Sequence, residues 1–175
     1  DRIFSTNTFD IYRALGRRTS VQLVLDASVA MPVLFGLSFG SSRSRFGVSA
    51  LALRDACKAH GISMVVPNAY LNEMAYHGLK GAFERLEIYN ALPEEAQSAL
   101  KSSENAYLSH FAHISEAMKT QGKNITLKEF LEYFGLVEGR PLYKVENRIQ
   151  TLLDGFGIRA VSDLKESPGV PESAI

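Results

Sequence analysis

The sequence predicts an α/β fold in which a parallel sheet has helices on both faces. Two short apolar segments, residues 21–25 and 62–66, are bounded by polar residues and turn formers, as buried parallel strands are. Each is followed by a segment with helical spacing. A third apolar segment, residues 158–161, follows a further predicted helix. This alternation of strands and helices is typical of parallel α/β domains.

The first predicted strand, Val21–Leu25, is apolar on both faces and should end at Asp26. Ser28 is expected to cap a short helix that follows it. Pro32 is tolerated there because the first turn of a helix has no internal N–H bonds to lose. Gly36 should end this helix.

The next elements repeat the pattern. The Gly- and Ser-rich stretch 38–47 predicts a loop, and the spacing over Ser49–His60 predicts a second helix. The second strand, Ile62–Val66, should lead into a third helix, Ala69–Leu79, capped by Asn68. The chain thus begins as strand, helices, strand and helix.

Beyond this point the sequence becomes helical. Apolar residues recur at intervals of seven, four and three residues and predict one long helix from Pro93 to Gly122. A capping box formed by Thr126 and Glu129 predicts a short helix ended by Gly135. Apolar residues at helical spacing predict a further helix over residues 142–155, before the last strand.

These patterns divide the chain into a core and an insertion. The predicted boundaries are an N-terminal extension at 1–20, a core at 21–80 continued at 142–163, a helical insertion at 81–141, and a tail at 164–175. The composition, 46% hydrophobic and 22% charged, matches one globular domain. The longest uncharged stretch, residues 27–42, is broken by Pro and Gly and is too short to span a membrane.

The single cysteine and the distribution of charge bear on the compartment and the partners of the protein. Cys57 cannot form an internal disulfide and is expected to be a buried core thiol, so we expect a cytoplasmic protein. Residues 1–60 carry eight basic and four acidic side chains, whereas the rest carries eleven basic and fifteen acidic ones. The basic first third, which includes Arg17, Arg18, Arg43 and Arg45, could attract RNA, or it is an ordinary solvated surface.

Two segments resemble the PIN-domain family of metal-dependent nucleases. In VQLVLDASVAMPVLFG a strand ends in Asp26, followed by Ala and Ser28. In HGISMVVPNAYLNEMAYHGL a strand runs into Pro67, and Glu73 follows six positions later. Both patterns are similar to those of the family, and the likeness covers residues 20–80 and, more loosely, the last helix and strand.

The resemblance implies a ribonuclease that uses Mg²⁺ or Mn²⁺. By that likeness Asp26 and Glu73 are the catalytic metal ligands, and Ser28 lines the same pocket. We expect Arg43 and Arg45, in the predicted loop beside it, to contact RNA. Carboxylates suit such hard cations, which neutralise a scissile phosphate and activate water. The alternative is a non-catalytic PIN-like module whose helical insertion binds a protein partner.

The sequence departs from the family pattern at its end. Members carry a third and often a fourth acid about twenty residues past the last strand found here, beyond Ile175. Asp163 and Glu166 lie too early to match, although Asp163 is a conceivable substitute. The strands expected beside Val21–Leu25 are also absent, so we expect a protein partner or a homo-oligomer to cover that edge.

Two weaker patterns remain open. His110, His113 and Glu116 share a helix face and could hold a metal, although an ordinary polar helix surface is favoured. The stretch Gly155–Ala160 fits G-x-G-x-x-A, but it follows a helix and enters a strand, the reverse of a dinucleotide site.

Overall fold

The computed structural model describes residues 21–40, 45–93, 96 and 99–162. Its three strands are β1 (Gln22–Val24), β2 (Ser63–Pro67) and β3 (Ile158–Val161). They form a parallel sheet in the order β1-β2-β3, with Val24 opposite Val65 in the first pair and Val66 opposite Ala160 in the second. The three predicted strands are confirmed, each to within one residue at either end.

Helices alternate with these strands and follow them along the chain, so the coarse α/β class is confirmed. None of the helices in the described ranges is both long and apolar enough to cross a bilayer. The helices, in chain order, are α1 (Ala27–Phe39), α2 (Arg45–Ala59), α3 (Asn68–Gly81), α4 (Leu86–Asn90), α5 (Ala106–Lys119), α6 (Leu127–Tyr133) and α7 (Leu142–Gly155), with 3₁₀ turns at Phe83–Arg85 and Ala99–Ser102.

The first helix differs from its prediction at both ends. Its N-cap is Asp26, whose side chain accepts a hydrogen bond from the Val29 N–H, so Ser28 is not the cap. The helix also continues past Gly36 to Phe39. Gly36 is buried where α1 meets α2, and a Cβ there would lie 2.7 Å from the Phe46 carbonyl oxygen. This glycine permits close helix packing and does not end the helix.

The start of two other helices was also predicted wrongly. Helix α2 begins at Arg45, four residues before Ser49, so the predicted loop 38–47 is shorter than expected. Helix α3 includes Asn68, and the preceding Pro67 supplies no side-chain cap. Both helices thus begin before the residue predicted, at the exposed Arg45 and Asn68.

The prediction of a single long helix between Pro93 and Gly122 is wrong. Asn105 divides this region, because its Oδ1 accepts hydrogen bonds from the Tyr107 and Leu108 N–H groups and caps α5. Its Nδ2 donates to the His77 carbonyl oxygen of α3, 3.0 Å away. The side chain therefore both starts a new helix and ties it to the core.

Later helix signals are confirmed. Thr126 and Glu129 form the reciprocal capping box of α6. Gly135, with φ of +81°, follows that helix in the left-handed conformation that glycine adopts at helix ends. Helix α7 ends at Gly155, as predicted.

Strand β1 is more exposed than an apolar central strand should be. Val24 is 41% exposed, and Gln22 is also exposed, so the expectation of burial on both faces is wrong for the described residues. Within those residues β1 pairs only with β2, which leaves its other edge without a described strand. The expectation that a partner or second copy covers this edge remains a prediction.

The insertion shares its core with the sheet. Phe35 of α1 is fully buried, and its ring lies 4.9 Å from that of Tyr107 and 5.0 Å from that of Phe134. The buried Tyr107 hydroxyl donates to the Met74 carbonyl oxygen of α3 at 3.0 Å. Residues from the sheet, the insertion and α7 thus belong to one hydrophobic cluster.

Replacing Gly78 with alanine tests this packing. The new Cβ would meet Leu136 Cδ1 at 2.8 Å and Tyr107 Cζ at 2.9 Å, and the Tyr107 ring cannot move without losing its bond to Met74. Overpacking of this kind should lower the free energy of unfolding by about 1–3 kcal/mol. Urea denaturation would measure the loss.

The matched control is Gly155→Ala, at the end of α7, where a Cβ meets nothing within 4 Å and φ is not positive. Alanine there should be neutral or slightly stabilising. Equal destabilisation by both changes would show that Gly78 is not a packing constraint.

Candidate metal centre

The two predicted acids lie on elements that leave the same edge of the sheet. Asp26 follows β1 directly, and Glu73 lies in the second turn of α3, which follows β2. Because β1 and β2 are parallel neighbours with Val24 opposite Val65, continuing the register sets Asp26 level with Pro67. In open parallel sheets this carboxyl edge is where ligands bind.

Asp26 is held in a defined orientation by its neighbours. Its Oδ1 accepts a hydrogen bond from the Ser28 hydroxyl at 2.7 Å and from the Val29 N–H at 2.9 Å. These donors, the Ser28 hydroxyl first, hold the pKa of the Asp26 carboxyl below its ordinary value. Asp26 is exposed, so its ionised carboxylate is accessible to a cation, with Oδ2 as the second oxygen.

Glu73 is paired with a histidine one turn further along α3. The Glu73 Oε1 lies 3.7 Å from His77 Nε2, and each of these side chains is 48% exposed. Both face outward, on the side of α3 opposite buried Leu71 and Met74. The structure therefore presents Glu73 as an accessible carboxylate.

Ser28 also lines a groove between α1 and α2. This groove has a volume of about 260 Å³ and is otherwise mainly apolar, with Val29, Pro32 and Phe46 among its walls. Arg45 immediately precedes Phe46 and is exposed at the start of α2. Phe46 lines the groove, whereas Arg45 is not one of its lining residues.

Several predicted residues are outside the described part of the chain. Arg43, expected to contact RNA with Arg45, lies in the undescribed stretch 41–44. Arg17 and Arg18, in the basic first third, and Asp163 and Glu166, after the last strand, also lie outside the described residues.

The acids do not form a large metal cluster. Within residues 21–40, 45–93, 96 and 99–162, no group of three or more His, Cys, Asp or Glu side chains is placed to hold a metal ion. Asp26 and Glu73 can supply at most part of a coordination shell. Two carboxylates still suit Mg²⁺, which often binds one or two carboxylates and keeps several waters.

The hypothesis that His110, His113 and Glu116 hold a metal ion is wrong. His110 is buried, and its Nδ1 bonds the Ala106 carbonyl oxygen at 2.8 Å. His113 packs against Phe46, with ring centroids 5.3 Å apart, and Glu116 is paired with Lys101 at 2.8 Å. Each side chain is engaged by other protein groups, and among the described residues these three are not placed to hold one metal ion.

Other sequence interpretations have clear outcomes. Cys57 is buried, as expected, and burial raises the pKa of its thiol. Gly155 ends α7 and Ile158 begins β3, so the G-x-G-x-x-A stretch has the helix-to-strand context expected of a coincidental match.

One polar pair at the surface was not anticipated. Asn72, next to Glu73, donates from Nδ2 to Glu146 Oε1 of α7 at 2.5 Å. The two residues are 74 positions apart in the chain, and no local spacing signals their contact. This bond ties α3 to α7 beside the candidate centre.

Comparisons of the sequence with models of known protein families and with curated proteins, and of the chain with solved structures, find no match.

Changing Ser28 to alanine should raise the pKa of Asp26 toward its ordinary value, because the hydroxyl is the strongest of its donors. A depressed carboxyl pKa stabilises the fold above the unfolded-state pKa, and that stabilisation is lost as pH falls through the folded-state value. The variant should therefore be less stable than the parent at neutral pH, and the difference should shrink in acid. Carboxyl NMR titration would measure the pKa directly.

Ser49→Ala provides the control, since Ser49 lines the same groove from α2. It should leave the Asp26 titration unchanged. An unaltered pKa in Ser28→Ala would contradict the assigned role of the hydroxyl.

Proposed function

We propose that this chain is a metal-dependent ribonuclease of PIN-like type, with Asp26 and Glu73 as ligands of Mg²⁺ or Mn²⁺. The supporting observation is that Asp26 follows β1 closely and Glu73 lies on the helix that follows β2, the parallel neighbour of β1. The resemblance of the two segments that carry them to the family adds to this. Both side chains are exposed, as substrate access requires.

The chemistry of the donors fits such a cation. The Ser28 and Val29 donors keep Asp26 ionised, and hard oxygen ligands are those that Mg²⁺ and Mn²⁺ prefer. When bound, the cation would neutralise phosphate charge and lower the pKa of the attacking water. Asp26 and Glu73 would position it, and Ser28 would hold the Asp26 carboxylate in its orientation.

A non-catalytic PIN-like interaction module is the second candidate. It is favoured by the lack of a three-ligand group among the described side chains. In this alternative the acids are solvated surface groups, and the helical insertion would carry binding to a protein partner. The two candidates differ in whether a metal ion supports any cleavage.

Cleavage of labelled single-stranded RNA, with Mn²⁺ or with chelator, tests the proposal. The parent chain should cleave only with metal, and Asp26→Asn or Glu73→Gln should lower the rate at least about 100-fold. Asparagine is as good an N-cap as aspartate, so Asp26→Asn should keep α1 intact. The melting temperature should fall slightly, because the variant loses the charge that the Ser28 and Val29 donors stabilise.

Glu87→Gln is the matched control, because Glu87 is an exposed acid on α4 outside the candidate centre. It should cleave like the parent. Absence of any metal-dependent cleavage by the parent, or full activity in both Asp26→Asn and Glu73→Gln, would favour the non-catalytic module.

RNA binding by Arg43 and Arg45 has its own test. If Arg43 and Arg45 contact phosphates, changing both to alanine should flatten the slope of log K against log salt by about two units. Fluorescence anisotropy with labelled RNA at several salt concentrations would measure it.

Lys58→Ala removes a positive charge from the last turn of the same helix, α2. It should leave the salt dependence of RNA binding unchanged. A double Arg variant with the parent's slope would show that these arginines are only solvated surface groups.

A further inference from the structure

Independently of the proposed activity, an unusual histidine lies where the insertion meets the core. His110 of α5 is only 7% exposed, and it is the one buried histidine among the described residues. Its ring lies 5.0 Å from that of Phe35 on α1 and 4.4 Å from that of Phe46 on α2. The imidazole therefore joins three helices through an aromatic contact.

The hydrogen bonding of this ring defines the tautomer of its neutral form. The Ala106 carbonyl oxygen can only accept, so Nδ1 carries the proton and donates to it at 2.8 Å. In the neutral ring Nε2 is then a bare acceptor. Nε2 is buried and has no hydrogen-bond partner in the described part of the chain. A second proton would have to sit on Nε2, facing apolar surroundings.

The charged groups around the ring do not offset the free-energy cost of placing a second proton on the buried Nε2. Helix α1 carries no titratable side chain between residues 27 and 39, and α2 contacts the ring through Phe46. On α5 the nearest titratable group is His113, whose own positive charge would oppose protonation. Glu116 is held by Lys101 of the preceding 3₁₀ turn. Burial, the largest cause, and the His113 charge lower the pKa of His110.

We propose that His110 is an acid-sensitive latch, which in its neutral form joins α5 to α1 and the first turn of α2, and whose protonation releases that turn. Adding a proton at Nε2 breaks no covalent bond, but it leaves a buried N–H donor without an acceptor. The ring must then leave its place between Phe35 and Phe46. Since Phe46 lies in the first turn of α2, this turn and the exposed Arg45 beside it would be freed.

The sign of the pH effect follows from the lowered pKa of a basic group. Above the unfolded-state pKa of about 6.5, neither state binds the proton and the fold has its full stability. As pH falls below this value the unfolded chain is protonated first. The unfolding equilibrium constant then rises by up to tenfold per pH unit until the folded state is protonated too.

Proton NMR of the full 175-residue chain can follow its four histidines from pH 8 to 5. The pKa of His110 should lie below the value of about 6.5 for an unperturbed histidine, and hydrogen exchange in the first turn of α2 should quicken as His110 titrates. A His110 that titrates at or above that value, or exchange that does not follow its titration, would overturn the proposal.

Variants provide an independent readout. His110→Leu keeps an apolar side chain between the rings but cannot be protonated, so its urea midpoint should lose the pH dependence that the parent shows between pH 7.5 and 5. His113→Gln keeps His110 in place, removes the neighbouring charge together with the ring contact that His113 makes with Phe46 at 5.3 Å, and should retain that dependence. If His110→Leu has the parent's slope, the latch is refuted. If His110→Leu does not fold, the titration of the parent still decides.

Discussion

The packing of Phe35 joins the sheet to the helical insertion, and much of the described chain depends on it. Its ring contacts those of Tyr107, His110, Phe130 and Phe134, from α5, α6 and the residues that follow α6. A fully buried aromatic ring contributes large apolar area and a preference for tilted or edge-to-face contacts. Because α1 follows β1 directly, this contact also determines how the insertion sits relative to the sheet.

The same helix connects the core to the candidate centre. Asp26 caps the first turn of α1, and Phe35 lies in its last part, so α1 links the acid at the sheet edge to the aromatic core. Polar side chains make further connections between distant segments, since Asn105 bonds α3 and Asn72 bonds Glu146. A carboxylate on such a supported helix terminus is better oriented than one on a loop, which is what a metal ligand requires.

The groove beside Ser28 and the latch at His110 meet at one residue. Phe46 lines the groove on one side and contacts the His110 ring on the other. Gly36 makes this close approach of α1 and α2 possible, because a side chain there would collide with the Phe46 backbone. The position of the first turn of α2, and with it Arg45, is therefore set by close packing against α1, with the ring contact to His110 added from the insertion.

Local signals in the sequence determined the strands, the capping box at Thr126 and Glu129, and the position of Asp26 at the end of the first strand. Apolar runs and capping residues act within a few positions, so a sequence reports them directly. Only the tertiary structure decided that Gly36 lies inside a helix, that Asn105 divides the predicted long helix, and that His110 is buried. Those outcomes depend on contacts between segments far apart in the chain, where burial and hydrogen bonding override local propensity.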